Sequence, residues 1–119
     1  MYLTMLKCKL HRARVTQCDL SYEGSISIDR KLIDACGLLL NERVEIYNID
    51  NGHRLATYVI EGEAGSGEIG LNGAAARLAC VGDKLIICAY VAMSEEEAKA
   101  HEPKVVVCNA KNKILKKKS

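Results

Sequence analysis

The chain has 119 residues, about the size of one domain, and folding at this length buries roughly two-thirds of the unfolded surface. Its 49% hydrophobic and 27% charged residues, with one Pro and nine Gly, exclude a disordered, linker-like or collagen-like chain. The net charge of +2 is a tail effect. Five of the 17 basic residues are Lys in the last nine positions, leaving 12 basic against 15 acidic residues elsewhere, which excludes a nucleic-acid binder built on a basic stripe.

In chain order, residues 4–17 alternate as one long strand, with Leu6, Cys8 and Leu10 on one face and Lys7, Lys9 and His11 on the other. A brief extended piece at 26–28 leads to Asp29, which caps a short helix, Arg30 to Cys36, stopped by Gly37. Val44–Asn48 and Arg54–Glu61 are strands joined by Asp50-Asn51-Gly52, where Asn-Gly tolerates positive φ. A glycine-rich turn at 62–70 precedes a short strand, Ile69–Leu71, and one helical turn, Gly73–Arg77. Leu85–Val91 is a near-continuous apolar strand expected to be buried on both faces. Ser94 to Glu97 is a capping box opening a helix that Pro103 ends, and Val105–Cys108 is the last clear strand. The basic tail, 111–119, reads as disordered. Six or seven short strands with helical turns point to a single mainly β domain closed into a barrel.

The only aromatics are five Tyr, so aliphatic side chains must build the core. Six Cys lack both metal-ligand spacing and a secretion signal; they read as reduced and mostly buried thiols. No stretch approaches the roughly 20 apolar residues of a membrane span, and the chain reads as cytosolic.

There is no Ser-His-Asp pattern, P-loop or recognisable carboxylate pair. What remains is a set of reactive residue types in structured segments: Lys9 and His11, Tyr22 to Ser25, Arg54 with Thr57 and Tyr58, and Asn72 to Ala75. A Ser hydroxyl can attack the preceding carbonyl, and Gly leaves that carbonyl accessible, but Gly-Ser also occurs at Gly65-Ser66, so Gly24-Ser25 alone is an ordinary turn.

Taken together, Met5-Leu6…Lys9-Leu10-His11-Arg12, Asp19 to Ser25, Asn51-Gly52…Arg54…Thr57-Tyr58 and Leu71 to Arg77 closely resemble the pyruvoyl-dependent aspartate decarboxylases. The similarity runs on through Val81-Gly82-Asp83 and the Ser94 cap, spanning residues 1–108 and leaving the lysine tail outside. Tyr47 stands where that family can have Trp.

The resemblance implies a six-stranded double-psi β-barrel, a homotetramer with sites between subunits, and self-cleavage between Gly24 and Ser25 into chains 1–24 and 25–119. Ser25 would become a covalent pyruvoyl group that forms an imine with L-aspartate, giving β-alanine and CO2 for pantothenate and coenzyme A synthesis, with no metal and no PLP. Thr57 would polarise the Gly24 carbonyl during cleavage, and also contact substrate. Lys9 and Arg54 would hold the substrate carboxylates, with Asn72 and the amides of Gly73, Ala74 and Ala75 beside them. Tyr58 would return a proton to Cα, while His11, Tyr22 and Tyr47 line or back the pocket wall. No maturation partner is identified.

Three rivals stand beside this reading: the same scaffold acting on another acidic amino acid, a β-barrel interaction or DNA-binding module, and a self-cleaving hydrolase with an N-terminal Ser. The negative body charge and the assembled residue set argue against the second. A mass measurement separates the third.

Overall fold

The computed structural model describes residues 1–118. Strand β1 (Tyr2–Arg14) carries out the expected alternation, with Cys8 and Leu10 buried and Lys9 and His11 only part-covered. It stops short of residue 17. Arg12 sits at φ 65° in a register break between His11 and Ala13, and a separate short strand, β2 (Gln17–Asp19), follows.

Strand β3 (Ser25–Asp29) is wholly buried and runs into helix α1 (Arg30–Cys36). Asp29 caps that helix through the Lys31 amide, and Gly37 ends it at φ 73°. The Asp29 carboxylate also accepts from the amides of Gly65 and Gly67, at 2.9 and 2.8 Å. Burial pushes its pKa up, but the three donors outweigh burial and hold the carboxyl below its ordinary value.

Strands β4 (Arg43–Asn48) and β5 (Arg54–Gly62) form the predicted hairpin. Strand β6 (Ile69–Asn72) leads into a 3-10 turn (Gly73–Leu78), and β7 (Lys84–Ser94) into α2 (Glu95–Ala100), whose Ser94–Glu97 capping box is complete. Strand β8 (Lys104–Cys108) pairs antiparallel with β9 (Ile114–Lys118).

The mainly β reading holds, with nine strands among the described residues where the sequence suggested six or seven. One expectation is corrected. The tail is not disordered over its described part, because residues 114–118 pair with β8; Ser119 lies outside the described residues. Composition misled because the lysines of β9 only need one edge of a ladder, not a buried face. Asn112 anchors the turn before it. Buried at 2% exposure, it bonds to both backbone groups of Arg14 and to the Gly67 carbonyl.

The strand order is β2-β6-β3-β5-β4-β7-β1-β8-β9, with parallel pairs β1/β8, β2/β6 and β3/β5. Only two residues separate β1 from β2, yet the two lie near opposite ends of that order. A flat sheet cannot satisfy this, so the sheet curls until the Thr16 amide reaches the Ile69 carbonyl at 2.8 Å. Inside the curl sit Leu10, Ile26, Ile28, Ile46, Val59, Ile69, Leu71, Leu85 and Ile87, all essentially inaccessible. Each such side chain stabilises the fold by roughly 1.5–3 kcal/mol relative to exposure. The six cysteines are free thiols, four of them buried.

Candidate active site

The register of β3 brings the Gly24-Ser25 junction against two other segments. Ser25 pairs with Asn72 across the antiparallel β3/β6 ladder, and Ile26 pairs with Val59 in the parallel β3/β5 ladder. One step back along that parallel pair, Gly24-Ser25 runs beside Thr57-Tyr58. Gly24 and Thr57 accordingly line the same cavity of about 220 Å³, together with Ala74 and Ala75.

Ser25 is buried to 1% exposure. Its hydroxyl donates to the Glu23 carbonyl at 3.3 Å and accepts from Asn72 Nδ2 at 3.0 Å. The same Nδ2 reaches the Ser27 hydroxyl at 3.2 Å, so one buried amide organises both serines. Gly73 is required by shape. It takes φ 65°, and a Cβ there would lie 2.7 Å from Gly24 N and Cα and 2.9 Å from the Tyr22 carbonyl oxygen. Gly24 itself has room, its nearest neighbour to a Cβ being the Asn72 carbonyl oxygen at 3.9 Å.

A second group lies on the outer face of the sheet. Alternation along β5 places Arg54, Ala56 and Tyr58 outward and Leu55, Thr57 and Val59 toward the interior. Tyr47 is paired with Arg54 on β5 and with Ile86 on β7, and Ile86 is paired with His11 on β1. Lys9 occupies the neighbouring row, opposite Cys88, which faces Glu45. The Arg54 guanidinium lies 4.4 Å from the Tyr47 ring centre, a stacking distance. Among the described residues neither Arg54 nor Lys9 is ion-paired, whereas Lys7 is held by Glu42 and Arg43 by Glu45. Unpaired cations on one face are suited to a dicarboxylate.

His11 Nδ1 is buried and has no hydrogen-bond partner among the described residues. Burial first, then Lys9 and Arg12, lower its pKa, which favours the neutral ring.

The candidate residues thus form two groups within one chain. Gly24, Ser25, Thr57, Asn72, Gly73, Ala74 and Ala75 meet at the junction, and Lys9, His11, Tyr47, Arg54 and Tyr58 share the outer face. Tyr22 stays 56% exposed, and its backbone carbonyl lies against Gly73 at the junction. Lys9 lies on β1 and Ser25 on β3, strands that are not neighbours in the sheet order. Sequence reasoning missed Tyr90. It sits in the strand expected to be buried on both faces, yet it is 41% exposed and its hydroxyl lies 2.8 Å from that of Tyr47. A Tyr in an all-aliphatic strand was the available signal.

Among the described residues no three His, Cys, Asp or Glu side chains converge on a metal position, and no helix is long and apolar enough to cross a membrane.

By comparison with known proteins the chain is an enzyme of the carboxy-lyase class, a decarboxylase. The aspartate decarboxylase family model matches residues 1–115, and the chain belongs to that family. It is 60% identical over 114 residues to the aspartate 1-decarboxylase of Bacillus subtilis, covering 96% of this chain and 90% of that protein. It is 59% identical to the Bacillus licheniformis aspartate 1-decarboxylase over the same shares. Against that of Cupriavidus necator it is 58% identical over 110 residues, 92% of each chain. Among solved structures it is similar to the computationally designed msDPBB_sym2 protein, at 17% identity and a TM-score of 0.44, over 73% of this chain and 96% of that one.

Proposed function

We propose that this chain is a proenzyme that cuts itself between Gly24 and Ser25, then decarboxylates L-aspartate to β-alanine and CO2 for pantothenate and coenzyme A synthesis. One observation carries the reading. The Ser25 hydroxyl is buried, aligned by Asn72 Nδ2 at 3.0 Å, and adjacent to a Gly24 that Gly73 packs tightly and that shares its cavity with Thr57.

In cleavage, Ser25 Oγ attacks the Gly24 carbonyl carbon, the C–N bond breaks, and an ester forms as the Ser25 amine is released. Thr57 polarises that carbonyl. Loss of the Cα proton then expels the Gly24 carboxylate from Cβ, leaving dehydroalanine, and water hydrolyses it to a pyruvoyl group and ammonia. The surroundings fit such a group, since Asn72 offers an N–H donor at 3.0 Å from the present Ser25 oxygen. The pyruvoyl group supplies an electron sink for the substrate Cα when CO2 leaves, which no side chain can do.

The remaining work falls to the chain's own residues. Arg54 binds one substrate carboxylate through its fork and Lys9 provides a second positive charge. The amides of Gly73, Ala74 and Ala75 can approach the substrate closely because their side chains are small. Tyr58 donates its phenol proton to Cα, and His11 and Tyr47 wall the site. Because the Lys9 and Arg54 side chains lie on the outer face while Ser25 is buried, we place the working site between subunits of a homotetramer, where one copy's outer face meets another's junction.

Intact-mass and native mass spectrometry test this together. The expected products are residues 1–24 and a piece 25–119 that begins with pyruvoyl, assembled as four copies of each. A larger piece that keeps a free Ser25 amine indicates a hydrolase instead, and Ser25→Ala protein that still splits at Gly24 refutes the mechanism.

A further inference from the structure

The contact between Tyr47 and Tyr90 is not used by any step above. Tyr47 stands across the β4/β5 ladder from Arg54, with its ring under the guanidinium at 4.4 Å. On its other side β4 pairs with β7, Tyr47 opposite Ile86 and Glu45 opposite Cys88. That register runs on toward Arg43 and Tyr90, which line one open cavity of about 450 Å³ with Tyr47 and Glu45. Across it the two phenol oxygens meet at 2.8 Å.

An exposed phenol ring has a broad torsion about its second side-chain bond, so a ring tied only at Cβ is a poor platform. Tyr47 is tied at both ends. Its hydroxyl bond to Tyr90 spans two strands and fixes the ring that Arg54 lies on. Arg has several rotatable bonds to immobilise, and a stacking surface orders its fork before any carboxylate arrives. Arg43, which lines the same cavity, is instead paired with Glu45 at 3.0 Å.

We propose that Tyr90 is a positioning residue for substrate binding: its hydroxyl anchors Tyr47, and Tyr47 presents the Arg54 guanidinium to the substrate carboxylate that Arg54 binds. This rests on the reading that Arg54 binds that carboxylate. The hydrogen bond to Tyr47, and burial after it, raise the pKa of Tyr90 above the ordinary phenol value.

The test uses processed enzyme, with succinate as a dicarboxylate probe that lacks an amine, and steady-state kinetics with L-aspartate. Tyr90→Phe keeps the ring and removes one hydrogen bond. It is expected to weaken succinate binding and raise KM by about threefold, with kcat unchanged. Tyr47→Phe removes the same bond and should give the same shift, and the double variant should lose no more than either single one. Wild-type affinities in both single variants, additive losses in the double variant, or a loss confined to kcat would each overturn the proposal. Arg54→Ala separates the two readings. Unchanged succinate binding in Arg54→Ala refutes the role of Arg54 and the proposal with it. Abolished binding there, with Tyr90→Phe like wild type, refutes the role of Tyr90 alone.

Discussion

The Gly24-Ser25 junction and the outer face of β4, β5, β7 and β1 are built from opposite materials. The junction is buried and neutral, with a serine, an asparagine amide and small residues packed so closely that Gly73 has no room for a methyl group. The outer face is open and charged, with Arg54 and Lys9 free of ion pairs among the described residues and Tyr58 37% exposed. The contrast follows from the two tasks. An acyl shift within the chain needs fixed geometry and little charge, whereas a dianionic substrate needs cations that have no other partner. Substitutions should therefore separate into those that stop maturation and those that spare it but stop turnover.

The largest separation is expected at Tyr58. A phenol hydroxyl is a hydrogen-bond donor that can pass its proton to Cα. Removing a positioned acid typically costs about 10²–10⁴-fold in rate. Tyr58→Phe keeps the ring, so cleavage at Gly24 should proceed while β-alanine production falls by that order, read by mass spectrometry and amino-acid analysis of one sample. Near-normal turnover in fully processed Tyr58→Phe enzyme would assign the proton to another donor.

The converse is expected at Gly73. Alanine there must adopt φ 65° and place a methyl 2.7 Å from the Gly24 backbone, and both faults strain the junction. Strain of this kind costs on the order of 1–3 kcal/mol, or roughly 5- to 150-fold in an equilibrium or rate. Gly73→Ala should slow self-cleavage within that range and lower the unfolding temperature of the uncleaved chain. Gly24→Ala has space for its methyl and serves as the comparison, since it should leave the unfolding temperature nearly unchanged. Equal stability losses in the two variants would remove the steric account of Gly73.

Much of this was legible in the sequence where local rules act alone. The Asp29 cap, the Gly37 stop, the Asn51-Gly52 hairpin and the Ser94–Glu97 box rest on interactions within four residues, and all are present. The face shared by Arg54 and Tyr58 was readable because a strand has period two. Three features were not legible. The pairing of β9 depends on β8 offering an edge, the Arg12 bulge on ladder register, and the Tyr47–Tyr90 bond on two strands that are neighbours only in space. The separation of Lys9 from Ser25 belongs to the same class, because strand order is a tertiary fact.

The smallest effect concerns His11, which shares the outer face with Lys9 and tests whether that face is as cationic as the free charges suggest. Its Nδ1 is buried without a partner among the described residues, so protonation would place a charge where no hydrogen bond compensates it. Burial lowers its pKa most, and Lys9 and Arg12 lower it further. The sign follows directly. A folded-state pKa below the unfolded value of about 6.5 means that neutral His11 favours the fold above that pH, and the contribution disappears as pH falls through the lower folded value. In an NMR titration, the ring proton of His11, assigned by its absence in His11→Asn, should therefore titrate below the ordinary histidine value. Lys9→Met should move that midpoint upward but short of the ordinary value, since the larger cause, burial, is untouched. A midpoint unmoved by Lys9→Met would show that Lys9 points away from His11. The outer face would then lose one of the two cations assigned to the substrate, while the account of the junction would stand unchanged.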